Sequence, residues 1–111
     1  MIESAVFAGE DPNGLVDALR AEGIDVTTLD GIANRDALED AGVPGADALI
    51  LTDVGQATAI PVAKELDPEI RVVVYAGASL PEFVSAQQVL AIDPDLLSVG
   101  AVAEEIADLE R

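Results

Sequence analysis

Short apolar runs rich in β-branched residues alternate with alanine-rich stretches along the chain, and this alternation restricts the fold more than any other feature. Ala5 to Gly9, Ile24 to Leu29, Ala46 to Thr52, Arg71 to Ala76 and Val89 to Ile92 read as strands. The segments between them carry helix punctuation. Asp11-Pro12 offers an N-cap and a first-turn proline, Leu15, Val16 and Leu19 mark one helical face, and Gly23 is the stop. Asn34 caps a short helix through Leu38 that stops at Gly42, and Thr58 to Leu66 is helical with Pro61 in its first turn, before Asp67-Pro68. Ser79-Leu80-Pro81-Glu82 matches a capping box for a helix through Gln88, and Val99, Val102, Ile106 and Leu109 stripe a terminal helix.

Strict strand and helix alternation demands parallel pairing, because right-handed crossovers return each strand to the same sheet and place helices on both faces. The predicted class is α/β: a doubly wound parallel five-stranded sheet, Rossmann-like or flavodoxin-like, in three α/β/α layers. For this strand number the commonest order is 2-1-3-4-5, which opens a crevice between the C-terminal tips of strands one and three. Those tips are Gly9 to Gly14 and Asp53 to Gln56, and any ligand is expected there. With 111 residues, half of them apolar, the chain has enough for one core, so residues 1–111 read as a single domain.

Charge narrows the partners. The chain has 22 acidic and 5 basic residues, a net charge of -17, with Lys64 as its only lysine. Nucleic acid is not an expected partner, since binding a polyanion requires Lys and Arg to release counterions. The carboxylates are spread among apolar residues throughout, as on a folded surface, and suit molar salt, where the screening length falls to about 3 Å. A halophilic, archaeal-type cytoplasm is the expected setting. No apolar run approaches the roughly 20 residues of a membrane span, and Met1-Ile2-Glu3-Ser4 has no basic n-region, so neither membrane insertion nor secretion is expected. Without Cys or His the chain has no thiol chemistry, no usual zinc site and no imidazole acid or base.

Gly9-Glu10-Asp11-Pro12-Asn13-Gly14 has the spacing of the dinucleotide fingerprint G-x-G-x-x-G, with Asp11 in place of the middle glycine. Two readings follow. In one, the loop is a modified nucleotide cradle using the amides at the helix start. In the other, the Asp11 carboxylate takes those amides itself and the loop is a capped turn. Asp30, after strand two, stands about where an acid would bind ribose hydroxyls, although a solvated carboxylate is the ordinary explanation in so acidic a chain. Glu10, Asp11 and Asp53 on adjacent strand tips would suit Mg²⁺ and phosphate chemistry. Gln56, Thr58, Gln87 and Gln88 need no role beyond solubility and helix ends.

Two stretches carry a family resemblance. Asp36-Ala37-Leu38-Glu39-Asp40-Ala41-Gly42-Val43-Pro44-Gly45-Ala46-Asp47-Ala48-Leu49-Ile50 and Ala63-Lys64-Glu65-Leu66-Asp67-Pro68-Glu69-Ile70-Arg71-Val72-Val73 resemble the N-terminal lobe of the TrkA and RCK potassium-transport regulators. That resemblance implies a Rossmann-like regulatory domain binding NAD or another nucleotide, with Gly9 and Gly14 as fingerprint glycines, Asp30 on the ribose and the Asp53 loop facing the nucleotide. The chain also resembles response-regulator receivers, with Glu10 and Asp11 as the acidic pair and Asp53 as phosphoacceptor. There the strand-four Ser/Thr falls at Ala76 and the strand-five Lys-Pro reads Asp93-Pro94, so this likeness implies a pseudo-receiver with a degenerate Mg²⁺ and phosphoacceptor site. The main expectation is a non-catalytic, diverged TrkA-type module acting through a nucleotide, a protein partner or a homodimer. Leu80, Phe83 and Val84 offer an apolar face for pairing or for the core.

Overall fold

The computed structural model describes residues 2–11, 13–29, 31–53, 56, 58–76 and 89–109. Five strands, β1 (Ser4–Ala8), β2 (Asp25–Leu29), β3 (Ala48–Leu51), β4 (Arg71–Tyr75) and β5 (Val89–Ile92), form a sheet of order β2-β1-β3-β4-β5. Every neighbouring pair is parallel, with Ala8 beside Leu29 on one side and Leu51 on the other. The described helices are α1 (Leu15–Ala21), α2 (Arg35–Asp40), α3 (Ala59–Leu66) and α4 (Val99–Ala107), with a 3-10 turn at Val43–Gly45.

Side-chain alternation along the strands feeds two cores. Phe7, Ile50, Val73 and Tyr75 pack with Leu15 and Leu19 of α1 and Val102 and Ile106 of α4. Val6, Leu49, Leu51, Val72 and Val74 point the other way, against Leu38 of α2 and Ile60 and Ala63 of α3. Both faces of β3 are therefore covered, and all its residues are buried, whereas edge strand β2 buries only Val26 and Leu29. Each fully buried large side chain contributes about 1.5–3 kcal/mol of transfer free energy. The strongest core elements are thus the central strands that carry the loop tips.

Several boundaries differ from the sequence expectation. Helix α1 starts at Leu15 because Gly14, at φ 76°, takes the cap position, so Asp11 lies outside the helix. The 3-10 turn at Val43–Gly45 has no counterpart in the sequence pattern. Gly42 at φ 92° ends α2 and Pro44 sits near the turn's start, and β3 consequently begins at Ala48 rather than Ala46. Asn34 caps α2 as expected, its side chain accepting from the Ala37 amide at 2.9 Å. Pro12, Asp30 and the expected helix from Ser79 to Gln88, with Leu80, Phe83 and Val84, lie outside the described residues.

Candidate functional site at the strand tips

Parallel pairing of β1 with β3 brings the Gly9 to Gly14 loop beside the segment that follows Leu51. The residue that follows β3 at this edge is Thr52. Its amide donates to the Ala8 carbonyl at 3.2 Å, and its hydroxyl donates to the Glu10 carbonyl at 2.7 Å. Gly9 has φ 113°, and a Cβ there would overlap the Thr52 hydroxyl. Glycine is required at that position on both counts: left-handed backbone and lack of space. Asp53 comes one residue later and is exposed, as is Glu10.

The Asp11 carboxylate makes the contacts that the capped-turn reading describes. Oδ1 accepts from the Leu15 amide at 2.6 Å and Oδ2 from the Val16 amide at 2.9 Å. These are the first amides of α1, on which a pyrophosphate would rest, and the negative charge sits at the positive end of the helix. The loop is a self-capped turn. Among the described residues, no group of three acidic side chains is placed to hold a metal ion.

Two further side chains bridge the loops. Asn13 Nδ2 donates to the Tyr75 hydroxyl at 3.1 Å, tying the loop after β1 to the tip of β4. The Ala33 amide, in the loop after β2, donates to Gln56 Oε1 at 2.7 Å. Ala33 is buried, and a buried amide needs an acceptor, so Gln56 has a structural role where its sequence context suggests only solubility. Thr52, Asn13 and Tyr75 are equally silent in the sequence, since a single polar residue at a strand end carries no periodic signal.

Three of the cations are occupied elsewhere. Arg20 donates to the Val26 carbonyl, Arg35 pairs with Glu65 at 2.8 Å, and Lys64 Nζ donates to the Ile70 carbonyl. Burial, and secondly the Arg71 charge, lower the Lys64 pKa, while Asp67 works to raise it. A cavity of about 270 Å³ lies at the opposite end of the sheet, lined among others by Ser4, Asp25, Thr27, Gly42 and Gly45. No described helix is long and apolar enough to cross a membrane.

A parallel sheet of this order, with helices on both faces and its loops gathered at the C-terminal edge, defines a doubly wound domain of the flavodoxin-like type. The chain belongs to the family of unknown function DUF7126, whose model matches residues 5–106. No curated protein matches it. Among solved structures it is similar to an orphan response regulator of H. pylori, at 15% identity and a TM-score of 0.74, covering 94% of this chain and 92% of that one. It is also similar to an atypical orphan response regulator described as having a phosphorylation-independent regulatory mechanism, at 16% identity, TM-score 0.69, and coverage of 93% and 91%. A pilus-assembly-related protein of Burkholderia pseudomallei matches at 16% identity, TM-score 0.68, and coverage of 95% and 87%. At these identities the likeness concerns the fold. It favours the receiver resemblance, and the TrkA and RCK resemblance finds no support in it.

Proposed function

We propose that this domain is a pseudo-receiver: a non-catalytic regulatory module that acts by associating with a protein partner and not by phosphoryl transfer or nucleotide binding. The observation that carries this reading is the use of the Asp11 carboxylate to cap α1, with the Thr52 hydroxyl beside it bonded to the Glu10 carbonyl. A phosphoacceptor site needs acidic groups free to hold a cation and a nucleophile facing it. Here one acid is committed to backbone amides, and Asp93-Pro94 stands where the receiver resemblance places a lysine clamp. The phosphorylation-independent mechanism described for one structural neighbour supports the same reading.

The test is an NMR titration in molar KCl with Mg²⁺ and beryllofluoride, and separately with NAD(H), ATP and AMP. Amides of Glu10, Thr52, Asp53 and Leu15 are expected to keep their positions throughout. Saturable shifts with beryllofluoride would restore an active receiver, and shifts with a nucleotide would restore the TrkA-type reading.

A further inference from the structure

The three side-chain bonds at the C-terminal edge join four of the five strand tips. Ala33 to Gln56 links the loops after β2 and β3, passing over β1, which lies between them in the sheet. Thr52 to Glu10 links β3 to the loop after β1, and Asn13 to Tyr75 links that same loop to β4, passing over β3. The bonded residues are 23, 42 and 62 positions apart, so none of these links is a local turn bond. Two of them end on buried groups, since Ala33 is 6% and Tyr75 4% exposed. Losing such a partner strands a polar group away from water, which makes each link costly to open.

We infer that these bonds form a lock that holds the loops after β1, β2 and β3 and the tip of β4 in one arrangement. The rim bearing Glu10, Ile32 and Asp53, all exposed, is then presented in a fixed form. A ligand-driven switch has loops with two arrangements close in energy, and the lock removes that balance by stabilising one of them. The inference rests on the pseudo-receiver reading for its functional meaning, but its geometry stands apart from it.

Amide hydrogen exchange in molar KCl tests the lock. Gln56→Ala should speed exchange of the Ala33 amide about tenfold, the factor expected from losing one hydrogen bond of ordinary net strength. Gln56→Glu, which keeps an acceptor, should restore most of the protection. The decisive variant is Asn13→Ala, because Asn13 is exposed and its loss removes no apolar contact from the cores, only the partner of the Tyr75 hydroxyl. In a lock, breaking Asn13 to Tyr75 also speeds exchange at Ala33, two loops away, while the Ile50 amide in β3 stays protected. Faster exchange confined to the edited loop, or none at all, overturns the lock and leaves the pseudo-receiver reading intact. Beryllofluoride binding by the unmodified protein would do the reverse.

Discussion

Asp11→Ala removes both acceptors from the first amides of α1, at Leu15 and Val16. Loss of a side-chain cap costs about 0.5–2 kcal/mol, and hydrogen bonds to a charged group lie at about 1.5–3 kcal/mol each. The site is half-buried, so water recovers part of the loss, and we expect about 2 kcal/mol for alanine. Asparagine keeps one acceptor oxygen but no charge and should cost about 1 kcal/mol. For 111 residues, an unfolding entropy of about 2.1 cal/mol/K per residue turns 2 kcal/mol into a melting shift of about 9 °C. One term opposes this: the chain carries a net -17, and deleting a carboxylate relieves repulsion. Molar KCl shortens the screening length to about 3 Å and suppresses that term, so the cap is best measured there by circular dichroism. An alanine variant melting within about 2 °C of the parent in molar KCl would refute the cap as a significant stabilising contact.

Other tests follow from the same geometry. Gly9→Ala should destabilise by about 2–3 kcal/mol through positive φ and the clash with Thr52, and a Gly9→Ala, Thr52→Ala double variant should recover only the steric part; additive losses in urea titrations would contradict the contact. Reductive ¹³C-methylation labels Lys64 as the only lysine, and its titration midpoint should fall below 10.5. Because the folded value lies below the unfolded one, the unfolded chain binds more protons between the two, so this group makes stability rise with pH through that window; a Lys64→Met variant with an identical slope would count against the assignment. Thermal stability should be higher in molar KCl than in low-salt buffer, and equal melting temperatures would remove the halophilic expectation.

The sheet is legible in the sequence because its central strands are buried on both faces and so appear as continuous runs such as Ala48 to Leu51 and Val72 to Tyr75. Helix ends are legible where one side chain does the capping, as at Asn34. The start of α1 is misread because two residues divide the capping between them. Gly14 turns the backbone, while Asp11 reaches forward to the amides from outside the helix. The crevice follows from strand order alone. Its contents do not, since Thr52, Asn13, Tyr75 and Gln56 meet their partners only after folding brings distant segments together. Asp53 stands out in the sequence as the acidic residue near the end of β3, and the structure places it exposed, two residues beyond that strand.

The fit of Gly9 against the Thr52 hydroxyl also couples what each of the two positions can accept. Exchanging Thr52 first gives up the bond to the Glu10 carbonyl, and adding a side chain at position 9 first meets both overlap and a disfavoured backbone. Neither single step is neutral, so the two positions are epistatic. A substitution at either position therefore has an effect on stability that depends on the residue at the other.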